Sequence, residues 1–159
     1  MPKYRNLLPG DPAPWFYARA SSRAEFAFDT VGGRYIVLCF FGTADARGKF
    51  ALDTAFAEAE LFNDNIASFF GVSIDPADEA QKRVVGRQPG FYFFWDFDGQ
   101  ISRAYGALPP DADPARDRIQ LRRIWVVLDP TLRVLKVIRF ADDGSDAGEL
   151  VNVVRALPP

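Results

Sequence analysis

The spacing of apolar positions changes between residues 35 and 62, from an unbroken run to a helical repeat. The apolar run from Tyr35 to Phe41 is rich in β-branched and aromatic residues, which is typical of a strand buried on both faces of an α/β sheet. After a short loop from Gly42 to Gly48, apolar residues recur at helical spacing from Arg47 to Phe62. The pattern therefore predicts a strand, a loop and a helix in direct succession.

This succession places the N-terminus of the predicted helix at the carboxyl edge of the sheet. A helix N-terminus has free backbone N–H groups and a partial positive charge, and α/β proteins usually keep their chemistry at that edge. The local candidates for chemistry are the charged residues of the loop and first helical turn, Asp45, Arg47 and Lys49.

The rest of the chain alternates between predicted strands and helices. Strands are predicted at Ser68 to Ile74, Phe91 to Trp95, Arg122 to Leu128 and Val134 to Phe140, and helices at Ala77 to Arg87, Gln100 to Tyr105 and after an N-cap at Ser145. A β-hairpin is predicted between Trp15 and Phe28, and a proline-rich loop between Leu108 and Arg118. This order predicts a mixed sheet with helices on both faces, whose first β-α-β unit is parallel.

Length and charge narrow the class of protein. At 159 residues, 48% of them apolar, the chain can bury a core of its own, so we expect one domain over residues 1–159. The net charge is −2 and lysines and arginines are not clustered along the chain, so we expect neither nucleic acid nor a membrane as a partner. No segment resembles a signal peptide or a membrane span, which favours a cytoplasmic protein.

Cysteine and histidine counts exclude several kinds of catalytic site. Cys39 is the single cysteine, and the chain has no histidine. An internal disulfide, Ser-His-Asp and Cys-His arrangements and histidine metal sites are therefore excluded. A carboxylate-only metal site has no ligand spacing to support it, so we expect no cofactor and no metal.

Five parts of the chain, taken in order, resemble the motifs of one protein family. They are GDPAPWF at Gly10 to Phe16, GRYIVLCFF at Gly33 to Phe41, GVSID at Gly71 to Asp75, DFDG at Asp96 to Gly99 with AYG at Ala104 to Gly106, and Arg123 six residues before Asp129. They resemble the GDxAPxF, GKxVVLxFF, GVSxD, DxDGxxxxxYG and RxTFxID motifs of AhpC/TSA-type peroxiredoxins in the thioredoxin-fold superfamily. The resemblance spans almost the whole chain. It implies an α/β, thioredoxin-like (peroxiredoxin-type) mixed sheet flanked by helices, with an N-terminal β-hairpin.

The chain departs from this family in the loop after the central strand. The family's pattern there is PxxxTxxC, in which the cysteine attacks peroxide as a thiolate at a helix N-terminus while the threonine and an arginine orient the peroxide. The resemblance aligns Gly42 with the proline, Ala46 with the threonine and Lys49 with the cysteine, and only Arg123 is retained. An ammonium group has no lone pair to attack an O–O bond. We therefore expect a peroxiredoxin fold without peroxidase activity.

The altered site suggests an anion pocket. In the family's geometry, Lys49 and Arg123 would converge near Gly42, Ala46 and the free N–H groups of the helix, which favours a small anion such as a carboxylate or phosphate. In the alternative interpretation, Lys49 pairs with Asp45 or extends into solvent, and Arg123 is held by a structural carboxylate.

Three functional hypotheses follow. The first is a degenerate peroxiredoxin-like domain that acts as a binding or interaction module through this pocket. The second is an antioxidant thiol peroxidase or oxidoreductase that uses Cys39, although a cysteine inside an apolar strand is typical of core packing. The third is a structural dimerisation module, since peroxiredoxin-like folds commonly dimerise.

Two features of the sequence bear on partners. The aromatic run from Phe91 to Trp95 either packs in the core or exposes a patch for a second subunit or another domain. The ending Pro158-Pro159 directly after a helix permits an N-terminal module of a longer protein, similar to redoxin-like modules joined to unrelated enzymes such as iron and 2-oxoglutarate oxygenases. We expect a homodimer, or a covalently linked or separate protein domain as partner.

Overall fold

Strands and helices alternate along the chain in the predicted order. The computed structural model describes residues 4–87, 89–116 and 121–158. The strands are β1 Tyr17–Ala18, β2 Phe26–Ala27, β3 Tyr35–Gly42, β4 Ala67–Ser73, β5 Phe91–Trp95, β6 Ile124–Leu128 and β7 Val134–Arg139. The α-helices are α1 Ala46–Ala57, α2 Pro76–Ala80, α3 Gln100–Tyr105 and α4 Ser145–Arg155.

One mixed sheet organises these elements, with β3 at its centre. The strand order is β5-β4-β3-β6-β7. Strands β3, β4 and β5 are mutually parallel, whereas β6 runs antiparallel to β3, and β7 antiparallel to β6. The predicted parallel β-α-β unit is confirmed, as is the N-terminal hairpin, which pairs only the two-residue strands β1 and β2.

Side chains of β3 alternate between two apolar layers. Ile36, Leu38 and Phe40 pack on the face that also holds Ile101 and Tyr105 of α3. The intervening side chains pack on the opposite face, against α1 and α4; they are Val37, Cys39 and Phe41. None of these six strand residues is more than 1% exposed. The predicted burial of this strand on both faces is confirmed, and helices cover both sides of the sheet.

The aromatic run on β5 is part of the core. Phe91, Phe93 and Phe94 are buried, and Tyr92 and Trp95 are partly buried. The Phe94 ring stacks on Phe70 at a centroid distance of 5.1 Å, an offset geometry that aromatic pairs favour. Core packing is therefore the correct interpretation of this run.

The predicted helix from Ala77 to Arg87 is wrong in its extent, because α2 ends at Ala80. Lys82 has a φ of 52°, in the left-handed region that ends a helix. The chain turns here because Arg83 returns to Asp78: its Nε donates to the buried Asp78 carboxylate at 3.0 Å. This buried charge pair outweighs the helical spacing of the sequence.

The bounds of α1 and α4 also differ from prediction, whereas the predicted proline-rich loop agrees with the structure over its described residues. Helix α1 ends at Ala57 and is followed by a 3₁₀ turn at Ala59–Leu61, short of Phe62. Ser145 is the first residue of α4 and not its cap, because the Asp143 carboxylate accepts the Ser145 N–H at 3.0 Å. The predicted loop contains no helix or strand over residues 108–116, and its last two residues, Asp117 and Arg118, lie outside the described residues.

Asp96 is a buried carboxylate at the start of α3. It is 2% exposed, and its two oxygens accept the backbone N–H groups of Ile101 and Ser102 at 2.9 and 2.7 Å. Burial raises the pKa of Asp96 to about 6, against the opposing effect of these hydrogen bonds. The charge therefore destabilises the fold near neutral pH.

Replacing Asp96 should remove a pH dependence of stability. With a raised pKa, the contribution of Asp96 is fully present below its unfolded pKa of about 3.9 and is lost as the pH rises through about 6. The free energy of unfolding of the parent, relative to Asp96→Asn, should fall by about 2–3 kcal/mol between pH 4 and pH 7. Urea denaturation of both proteins across this pH range measures the difference. Parallel pH profiles would contradict the assignment.

Candidate functional site

The loop after β3 delivers a capped helix N-terminus to the edge of the sheet, as predicted. Asp45 is the N-cap of α1, and its Oδ1 accepts the Gly48 N–H at 2.8 Å. Its backbone carbonyl accepts the Lys49 N–H at 2.8 Å. Asp45 thus satisfies donors that a helix N-terminus otherwise offers to a ligand.

Arg123, the residue directly before β6, is held against this cap. Its Nη2 donates to Asp45 Oδ2 at 2.7 Å, and its Nε donates to the Phe41 carbonyl at 2.7 Å. Burial opposes ionisation of Asp45, but the hydrogen bonds from Arg123 and Gly48 outweigh it, so the pKa of Asp45 lies below its ordinary value. Arg123 is therefore held by a structural carboxylate, as the alternative interpretation had it.

The four residues of the predicted anion pocket lie in different settings. Lys49 is exposed and lines a cleft of about 420 Å³ together with Lys82 and Arg83. Arg123 lines another cleft, of about 510 Å³, with Arg47. Neither of these two clefts contains both cations. The other two predicted residues, Gly42 and Ala46, are buried and exposed respectively.

The backbone at Gly42 differs from what a proline would allow. Gly42 has a φ of +78°, and a Cβ atom there would lie 2.0 Å from Leu121 Cδ2. Proline fixes φ near −65°, so a proline could not adopt the backbone conformation that this loop has at Gly42.

Arg47 and Asp146 form a buried pair beside this loop. The Arg47 Nη2 donates to Asp146 and to the Ala141 carbonyl, and its guanidinium lies 4.5 Å from the centroid of the Phe140 ring. The other Asp146 oxygen accepts the Trp125 Nε1–H at 2.8 Å. Arg47 is a candidate from the sequence, whereas Asp146 is not, because an acidic residue in the first turn of a helix is common and does not indicate a site.

Cys39 is enclosed on the α1 and α4 side of the sheet. Its side chain is 0% exposed. Burial raises the pKa of the Cys39 thiol well above its ordinary value, and the nearby Asp146 charge raises it further, while Arg123 and Arg47 lower it. A thiol that is neutral and shielded from solvent is a poor nucleophile.

No metal centre or membrane span is evident in the part of the chain that the structure describes. It contains no group of three or more cysteine, aspartate or glutamate side chains that could hold a metal ion. Over the same residues, no helix combines the length and apolar character needed to cross a bilayer.

The chain belongs to the AhpC/TSA family, whose model matches residues 9–135. This family match confirms the resemblance that the sequence motifs indicated. A sequence search of the curated proteins found no match.

Solved peroxiredoxin structures share the fold. The structure is similar to peroxidoxin BcpB from Mycobacterium tuberculosis, with a TM-score of 0.71, 20% identity and coverage of 97% of this chain and 100% of that chain. It is also similar to a yeast mitochondrial 1-Cys peroxiredoxin, with a TM-score of 0.73, 20% identity and coverage of 94% of this chain and 76% of that chain. The structure is similar as well to the bacterioferritin comigratory protein of Xanthomonas campestris, with a TM-score of 0.68, 17% identity and coverage of 97% of this chain and 98% of that chain. The predicted thioredoxin-like, peroxiredoxin-type fold is confirmed.

Substituting Gly42 tests the unusual loop backbone. Gly42→Ala should lower the free energy of unfolding by about 2–4 kcal/mol, because strain at positive φ adds to a clash with Leu121. Gly33→Ala is the matched control, since Gly33 has a φ of +98° with no atom near the added Cβ, and it should cost about 1–2 kcal/mol. Urea denaturation measures both. Equal losses would show that Leu121 moves aside freely.

The burial of Cys39 is testable by its reactivity. A thiol-specific reagent should modify Cys39 in the native protein on the order of 100-fold more slowly than in guanidinium chloride, because access requires an opening of the fold. A Lys49→Cys variant provides an exposed thiol on the same chain and should react rapidly without denaturant. Rapid modification of the native parent would show that Cys39 is accessible.

Proposed function

We propose that this chain is a peroxiredoxin-family domain that does not reduce peroxides by thiol chemistry and acts as a binding module. Two facts together carry the proposal. Lys49, which the resemblance aligns with the family's peroxide-attacking cysteine, is exposed. Cys39 is 0% exposed. Peroxide reduction by a thiol needs an accessible thiolate. The chain has a lysine where the thiolate is needed, and its one thiol lies in the core.

The surroundings of Arg123 support the same proposal. In the family's pattern this arginine orients peroxide, but here its Nε and Nη2 are bonded to Phe41 and Asp45. Ala46 takes the position of the family's threonine, and Gly42 has a φ of +78° that a proline could not adopt. The threonine hydroxyl is thus absent, and Arg123 is present but already hydrogen-bonded to the protein.

A peroxidase that used Cys39 would need a different geometry. Cys39 lies in the middle of β3, paired with Gly71 on one side and Trp125 on the other. Peroxide could reach it only if the layer formed by α1 and α4 opened. Its raised pKa would leave little thiolate even then.

Hydrogen peroxide consumption with excess dithiothreitol tests the proposal. The parent and Cys39→Ala should both be inactive. Lys49→Cys in the Cys39→Ala background should consume peroxide, because a thiol in the first turn of α1 is partly ionised by the helix N-terminus. This variant also shows that the assay detects a thiol at this position.

Turnover by the parent that disappears in Cys39→Ala would overturn the proposal and make Cys39 the attacking thiol. Turnover that persists in Cys39→Ala would indicate chemistry without a thiol, which would also overturn it. Inactivity of both proteins, beside an active Lys49→Cys variant, would support a domain that does not reduce peroxides by thiol chemistry.

A further inference from the structure

Four arginines line the cleft of about 510 Å³ that contains Arg123. They come from different parts of the chain, Arg47 from α1, Arg122 and Arg123 from the segment at the start of β6, and Arg139 from the end of β7. The strand register explains the meeting, because Ile124 at the start of β6 pairs with Arg139 at the end of β7. The fold thus brings arginines from three parts of the chain to the lining of one cleft.

Two of the four arginines have a carboxylate partner. Arg47 pairs with Asp146 and Arg123 pairs with Asp45. In residues 4–87, 89–116 and 121–158, neither Arg122 nor Arg139 forms an ion pair.

Within the described residues, two of the four arginines in the cleft have no carboxylate partner of their own. Asp45 and Asp146 pair with Arg123 and Arg47. Asp142 is the acidic residue among the described lining residues, and the charge of the neighbouring Asp143 interacts with that of Arg47. Arg side chains stay protonated in proteins, so Arg122 and Arg139 keep their charges as the pH changes.

Arg122 is held in position by hydrogen bonds although the positive charge of Arg139 repels it. Its Nε donates to the Gly106 carbonyl and its Nη2 to Asn6 Oδ1, each at 3.0 Å, and the guanidinium lies 4.5 Å from the centroid of the Tyr4 ring. Burial, and then repulsion from Arg139, lower the pKa of Arg122. Neutral acceptors thus hold this cation in position without cancelling its charge.

We propose that this arginine cleft binds a small, multiply charged oxyanion, with phosphate and carboxylate groups as the matching chemistry. Guanidinium groups recognise both through paired N–H donors, and Arg122 and Arg139 supply charge that Asp45 and Asp146 do not cancel. The inference rests on the proposed function, because a domain that reduced peroxide beside Arg123 would need that arginine for peroxide. It places the anion away from Lys49, which lines a different cleft.

Isothermal titration calorimetry with pyrophosphate and with citrate, at constant ionic strength, tests the proposal. Binding by the parent should weaken about tenfold or more in Arg139→Gln, which removes a charged donor from the lining. Arg139 is exposed and outside the described hydrogen-bond network, so this variant should fold, as circular dichroism will verify. The stronger of the two probes identifies phosphate or carboxylate as the preferred group.

Two matched control variants each remove one positive charge outside the arginine cleft. Lys136→Gln alters the same strand, where Lys136 pairs with Glu149 at 3.4 Å outside the cleft, and Lys49→Gln alters the pocket predicted from sequence. Both should change affinity less than about twofold, the effect of long-range charge alone.

Several results would overturn the inference. They are the absence of binding for both probes at millimolar concentration, equal weakening in Arg139→Gln and Lys136→Gln, and a selective loss in Lys49→Gln. Peroxide turnover by the parent would instead overturn the proposed function. The calorimetric and peroxidase results therefore distinguish the two failures.

Discussion

The buried carboxylate of Asp146 is the constraint on which this face of the protein depends. It accepts hydrogen bonds from Arg47 of α1, from the Trp125 indole of β6 and from the backbone N–H of Ala141. A carboxylate buried away from water is tolerated only when its oxygens are paired and hydrogen-bonded. The first turns of α1 and α4 and the interior of the sheet must therefore assemble together, and loss of Arg47 would leave the Asp146 charge without its ion-pair partner.

Asp146 also acts on two different side chains, the Cys39 thiol in the core and the Arg47 guanidinium at the cleft. On the inner side, its negative charge adds to burial in keeping the Cys39 thiol protonated. On the outer side, it holds Arg47 in the wall of the cleft that Arg122 and Arg139 share. The same carboxylate thus helps to keep the Cys39 thiol protonated and fixes the position of Arg47.

The sequence predicted the sheet better than it predicted the site. The reason is that the strands follow from local sequence patterns, whereas the contacts of the site join residues far apart in the sequence. The run from Tyr35 to Phe41 is a local signal, and burial on both sides of a sheet requires little more than its apolar character. The Arg47–Asp146 pair joins residues 99 positions apart, which no local pattern reveals. Likewise, the early end of α2 depends on the buried Asp78, whose partners include Ser73 and Arg83.

The conformation of Gly42 bears on how such a domain could be re-engineered. Its φ of +78° is accessible to glycine but closed to proline, so the main chain here has a course that depends on the residue type at this one position. A designer who introduced new side chains around the loop would therefore be placing them on this course. Any design that needs a proline at position 42 would have to rebuild the backbone of the loop first.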